Sequence, residues 1–161
     1  MNLDVKHIVA ESTNILSTNF GGGHIYSIAI DEDMDNGLLV ARAEYANEEY
    51  EDEAWNAKAY AAGDEALLLL NPPLLPMTEL RGYNTEDKFY NAAGDRVRAY
   101  TLRVGDRVSL SENAFDTAPV GKQYVTYDAS AKQYVVADAK TEGQFCAQVL
   151  TKIYRTNMMM Y

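Results

Sequence analysis

Acidic residues are the first candidates for chemistry, because closely spaced carboxylates can bind a cation. Asp31, Asp33 and Asp35 have the alternate spacing with which a calcium-binding loop begins. Such a loop requires glycine at its sixth position and glutamate at its twelfth, whereas this chain has Asn36 and Arg42 there. We therefore predict a solvated acidic turn and no metal site.

A second acidic group forms a dense run: Glu48, Glu49, Glu51, Asp52 and Glu53. Glycoside hydrolysis requires two carboxyl groups on opposite sides of a cleft. Carboxylates that follow one another closely in sequence repel each other and are typical of a solvated loop. The run therefore predicts no catalytic pair.

Other residues that could perform chemistry are few and scattered. The two histidines, His7 and His24, lie in or beside the first 23 residues, whereas Ser109 and Ser111 have no histidine in their segment. Serine nucleophiles need a histidine or equivalent base in hydrogen-bonding contact. The single cysteine, Cys146, has apolar neighbours, which indicates a small buried hydrophobe. We predict that the protein is not an enzyme and has no intramolecular disulfide.

Cofactor and nucleic-acid sites are not indicated either. The glycines at 21–23 lack the spacing and the lysine of a phosphate-binding loop. The formal net charge is −10, and an acidic chain repels a phosphate backbone. We predict no cofactor and no nucleic-acid partner.

The charge is divided unequally along the chain. Residues 1–80 contain three basic against fifteen acidic residues, a net charge of −12, and residues 81–161 contain eleven against nine, a net charge of +2. This asymmetry favours contact with a basic protein surface. The first twelve residues have no signal-peptide pattern, and no apolar segment reaches about 18 residues, so we expect cytoplasmic synthesis and no membrane association.

Short runs of alternating apolar and polar residues predict the fold class. They include 26–30, 38–45, 55–60, 124–127 and 133–136, and the leucines at 67–70 indicate a strand buried on both faces. Turn residues recur every eight to twelve positions or so, as in small β-proteins. We predict an all-β fold, a small antiparallel barrel or sandwich of short strands and hairpins, with an extended N-terminal arm.

Two adjacent runs predict a specific hairpin. A three-residue loop at 105–107 would place Val104 opposite Val108 and Leu102 opposite Leu110, which puts these apolar side chains on one face.

The domain organisation is predicted as three portions. Residues 1–23 form the arm, which lies along its own barrel or along a neighbouring subunit; a short helix over residues 8–16 is the alternative. Residues 24–71 form an acidic β-rich portion and residues 72–161 a C-terminal barrel-like portion, divided near two consecutive prolines. One continuous domain over 24–161 is the other interpretation.

The order of features over residues 67–149 carries a family resemblance. An apolar strand with Asn-Pro-Pro precedes an aromatic segment at 83–90, and then come AGDRVRAYTLRVGDRVSLSENAFD, PVGKQYV and a hairpin into FCAQVL. This pattern resembles the head decoration proteins (capsid cement or auxiliary capsid proteins) of tailed bacteriophages. The resemblance implies a non-enzymatic protein on the outer capsid surface of a virion, made in the bacterial host cytoplasm. It also implies contact with the major capsid protein and a symmetric homo-oligomer, a trimer by analogy.

Tyrosine supplies candidate contact residues, since twelve of 161 residues are tyrosine and interfaces favour its large area. The C-terminal methionines are apolar and adaptable. We predict the following partner-binding residues: Phe20, Tyr83, Tyr90, Arg98, Arg103, Met158, Met159 and Tyr161. The alternative function is a carbohydrate- or cell-surface-binding β-module in which Trp55, otherwise predicted to be a core residue, stacks on sugars.

Overall fold

The computed structural model describes residues 6–19, 24–46, 53–73, 86–155 and 158–161. The regular secondary structure of these residues is almost entirely β, so the predicted all-β fold with a small barrel is confirmed. The only α-helix in these ranges is a single turn, and no helix in them is long and apolar enough to cross a membrane. The elements are β1 (Ala10–Asn14), α1 (Leu16–Asn19), β2 (Ile25–Ala29), β3 (Leu39–Tyr45), β4 (Trp55–Ala59), β5 (Leu67–Leu69), β6 (Arg96–Thr101), β7 (Arg107–Leu110), β8 (Tyr124–Asp128), β9 (Gln133–Ala137), β10 (Ala147–Gln148), β11 (Ile153–Arg155) and β12 (Met158–Met160), with short 3₁₀ turns at Glu86–Lys88 and Glu112–Ala114.

Five strands close into a barrel in the order β2-β4-β3-β5-β6. β2 and β4 run parallel, whereas the other barrel pairs are antiparallel. The three leucines of β5 are fully buried, as the apolar run predicts. β5 precedes Pro72 and Pro73 in sequence and β6 follows them, and both strands belong to the same barrel. The proline pair therefore does not separate two sheets.

The described part of the N-terminal arm lies along its own chain. β1 pairs antiparallel with β7, with Ala10 opposite Leu110, and Ile8, Val9 and Ile15 are buried. The alternative of a helix over residues 8–16 is wrong, because residues 10–14 form this strand and the single helical turn follows it. As a strand, residues 10–14 satisfy backbone N–H and carbonyl groups along one edge of β7, which a helix over residues 8–16 would leave unpaired.

The predicted hairpin between β6 and β7 is wrong, although its turn exists. The Asp106 N–H donates to the Arg103 carbonyl at 3.0 Å, so the chain reverses at residues 103–106. β6 pairs with β2 and β5, however, and β7 pairs with β1. Since both edges of β6 are used by the closed barrel, β7 cannot pair with it. Val104 is consequently fully exposed instead of facing Val108.

The C-terminal strands pack beside the barrel. β8 and β9 form the predicted hairpin, with Tyr124 opposite Ala137, and β10 pairs with the other edge of β8. β11 and β12 pair antiparallel, with Tyr154 opposite Met159. The final residue, Tyr161, exchanges two backbone hydrogen bonds with Leu110, at 2.8 and 2.9 Å. The described tail therefore packs on this chain, next to β7.

Candidate interaction surface

An apolar cleft of about 340 Å³ lies between the β1–β7 ribbon and the C-terminal strands. The residues that line it include Leu102, Val108, Phe145 and Ala147, and Met160 from the tail. These residues belong to segments far apart in sequence, so the cleft exists only in the folded chain. We refer to it below as the cleft.

An aromatic cluster forms the inner wall of the cleft. Tyr134 is buried at its centre, with ring centroids 5.7 Å from Phe115 and 5.9 Å from Phe145. The Tyr134 hydroxyl donates to the Gly37 carbonyl at 2.6 Å, which ties the wall to the turn before β3. Burial raises the pKa of Tyr134 well above its usual value. The wall therefore presents aromatic ring surfaces, and the hydroxyl of its central residue, Tyr134, already has a hydrogen-bond partner.

Exposed aliphatic side chains lie at the cleft and on the loop beside it. Leu150 and Ile153, which line it, are 64% and 48% exposed. Val120, 67% exposed, lies on the neighbouring loop, which is joined to this segment by the hydrogen bond from Lys122 N–H to the Val149 carbonyl. Clustered exposed apolar side chains mark interaction surfaces in soluble proteins. We call Val120, Leu150 and Ile153 the apolar rim.

The predicted partner-binding residues are only partly brought together. Tyr161 lines the cleft, and Met158 and Met159 are half-buried in β12 beside it. Arg103 is exposed in the turn before β7, with its Nη2 3.0 Å from His24 Nδ1.

The other predicted residues lie elsewhere. Arg98 is exposed on β6, and the partly exposed Tyr90 stacks on His7 with centroids 5.1 Å apart. Neither lines the cleft. Phe20 and Tyr83 are outside the described residues.

The rim residues were missed by sequence reasoning, although one signal was available. Val149 and Leu150 are consecutive apolar residues in an extended segment, and side chains alternate between faces there. One of the two must therefore face away from the core. The structure buries Val149 and exposes Leu150.

Trp55, the residue named for sugar stacking, is half-buried against the barrel core. The Arg42 guanidinium carbon lies 5.1 Å from the Trp55 ring centroid and 4.2 Å from that of Tyr26. Tyr45 contacts the indole edge-on at 5.3 Å. Arg42 thus competes with any sugar for the indole ring.

The residues considered for catalysis and metal binding have structural partners. The Ser109 hydroxyl lies 3.2 Å from that of Thr13, and the Ser111 hydroxyl accepts the Val9 N–H at 2.9 Å. Among the residues that the structure covers, neither serine bonds to a histidine, and no group of three or more His, Cys, Asp or Glu is arranged to hold a metal.

The acidic turn has a structural use that its sequence did not reveal. Asp35 accepts the Ile8 N–H at 2.9 Å, and its other oxygen lies 2.8 Å from His7 Nδ1. Asp33 accepts the Ala93 N–H at 2.9 Å. These carboxylates therefore fasten the arm and the loop before β6 to the barrel.

Comparison of the chain with protein-family models, with curated proteins and with solved structures found no match. The function is therefore inferred from the cleft, the apolar rim and the sequence pattern.

Proposed function

We propose that this protein is a non-enzymatic virion structural protein that binds the outer surface of a phage capsid. It stabilises the shell through contacts with the major capsid protein and with copies of itself. The observation that carries the proposal is the apolar rim around the cleft. Three large aliphatic side chains there are about half or more exposed to water. Exposed apolar surface is unfavourable in free energy, and contact with a partner would bury it.

The architecture suits a protein that reinforces a shell. The barrel is closed, so its strands have no free edges for unspecific pairing. The described arm is fastened by β7 and by Asp35. A rigid scaffold of this kind loses little conformational entropy when it binds, which favours stable attachment.

The sequence supports the same function independently of the cleft. Residues 67–149 resemble phage head decoration proteins in the order of their features, and residues 1–80 have a net charge of −12. A basic patch on the capsid would attract this acidic portion over a distance of about 10 Å at 0.1 M salt. Electrostatic attraction would guide the approach, and the apolar rim would supply the contact.

Binding of the purified protein to undecorated heads tests the proposal. We expect saturable co-sedimentation and higher resistance of the decorated heads to heat or to chelator. The double variant Leu150→Asp/Ile153→Asp should reduce the affinity at least about tenfold, because charged side chains would have to be desolvated in the contact.

Ala139→Asp is the matched control, since Ala139 is exposed and does not line the cleft. Absence of wild-type binding at every salt concentration would refute the proposed function. Equal losses for the rim variant and the control would refute the assigned surface.

A further inference from the structure

The interior of the cleft has the properties of a small-molecule site. Its volume of about 340 Å³ falls in the range of roughly 300–1,000 Å³ that is typical of ligand pockets. Its walls are contributed mainly by apolar and aromatic side chains, including Leu110, Phe115 and Val125. An apolar ligand in the cleft would gain dispersion contacts with these walls.

Polar groups around the cleft are largely engaged by the protein itself. Tyr134 donates to Gly37, and the Tyr161 hydroxyl donates to Glu112 at 2.9 Å. The Gln148 side-chain amide donates to the Lys122 carbonyl at 3.2 Å. A sugar or nucleotide placed inside would lose hydrogen bonds to water and find few replacements. The interior therefore selects for an apolar body.

The charged groups at the edge of the cleft favour an anionic ligand over a cationic one. Asp106 lines the cleft, but its two carboxylate oxygens accept the Leu16 and Arg103 N–H groups at 2.9 and 2.8 Å. Arg107 also lines the cleft, is exposed, and forms no ion pair with any described residue. An arginine guanidinium binds carboxylate, sulfonate or phosphate groups through two parallel hydrogen bonds.

We propose that the cleft binds a small amphiphilic anion, with its ring system or short alkyl chain inside and its acidic group at Arg107. This binding does not depend on the proposed capsid attachment, because it is tested on the free protein; Leu150 and Ile153 belong both to the apolar rim and to the lining of the cleft.

Fluorescence titration with 1-anilinonaphthalene-8-sulfonate, an aromatic sulfonate, tests the proposal on the full chain. One saturable site per chain is expected, with displacement by octanoate at lower concentration than by octanol. Urea unfolding of the same sample must be cooperative, because this dye also binds partly folded states. No saturable dye binding to the folded protein, or equal displacement by octanoate and octanol, would overturn the proposal.

Two variants locate the site. Arg107→Gln should weaken the sulfonate about fivefold, the effect of an exposed ion pair, and leave the neutral probe N-phenyl-1-naphthylamine unchanged. Arg96→Gln, at an exposed arginine outside the cleft, should change neither. Ala147→Trp should fill the cleft and abolish binding of both probes. Equal effects of the two arginine variants, or full binding by a folded Ala147→Trp protein, would contradict the location of the anion site in the cleft. The two arginine variants test that location even if the Ala147→Trp protein does not fold.

Discussion

Replacement of Gly37 by alanine should destabilise the fold far more than the same replacement at Gly63. Both glycines have positive φ angles, 88° at Gly37 and 91° at Gly63. An L-residue in this backbone region costs about 1–2 kcal/mol, so both variants bear this strain. Only Gly37 is also crowded, because a Cβ atom there would lie 2.8 Å from Leu110 Cδ2 and 3.0 Å from Ala10 Cβ. A Cβ atom at Gly63 would meet no atom within 4 Å.

The difference between the two variants measures the packing of the arm and β7 against the turn. Overpacking in a core typically costs about 1–3 kcal/mol. We therefore expect a loss of roughly 1–2 kcal/mol for Gly63→Ala and roughly 2–5 kcal/mol for Gly37→Ala in the free energy of unfolding. Urea unfolding with unchanged m-values is the assay, since m reports the surface exposed on unfolding. Equal losses in the two variants would refute the packing of β1 and β7 on this turn.

Three further predictions address two tyrosines with raised pKa values, the Trp55 indole and the C-terminal tail. Burial raises the pKa of Tyr127 to about 12 and that of Tyr134 well above its usual value. The unfolded chain releases these protons near pH 10 while the folded chain retains them, so the free energy of unfolding should fall between pH 10 and about 12. Replacing both tyrosines by phenylalanine should make this fall shallower in urea unfolding measured over a pH series. An unchanged slope would contradict the raised pKa values of the two tyrosines. Sugar titration should leave the fluorescence of Trp55 unchanged, because Arg42 covers its ring; a saturable change would favour the carbohydrate-binding alternative. Deletion of residues 158–161 removes two backbone hydrogen bonds to β7 and the buried Met160 side chain. Thermal unfolding should therefore show a stability loss of about 2–5 kcal/mol. An unchanged melting temperature would mean that the tail does not pack on this chain.

Local sequence patterns predicted strands and turns, but not which strands are neighbours. Period-2 alternation located β2, β3, β8 and β9, and the turn residues located the reversal before β7. Pairing depends on which edges remain available after the barrel has closed. The partners of β6 are β2 and β5, and nothing within residues 96–110 encodes that choice.

The candidate surface was predictable only in part for the same reason. The apolar character of the C-terminal residues predicts a contact surface there, and Tyr161 does line the cleft. Leu150 and Ile153 reach the same cleft through the positions of β8, β10 and β11, which are set by contacts between segments distant in sequence. Likewise, the partner of Asp35 is a backbone N–H 27 residues away, so its role could not be inferred from the spacing of the acids.

Amide hydrogen exchange of the protein bound to heads tests the central claim most directly. The segment from Gln148 to Ile153, which carries two of the three rim residues, should exchange more slowly on decorated heads than in the free protein. Strand β4, on the barrel and outside the cleft, should exchange equally in both. Saturable binding with slowed exchange at the rim segment and unchanged exchange at β4 is the predicted result. Unchanged exchange at the rim on fully decorated heads, or protection confined to β4, would contradict the account.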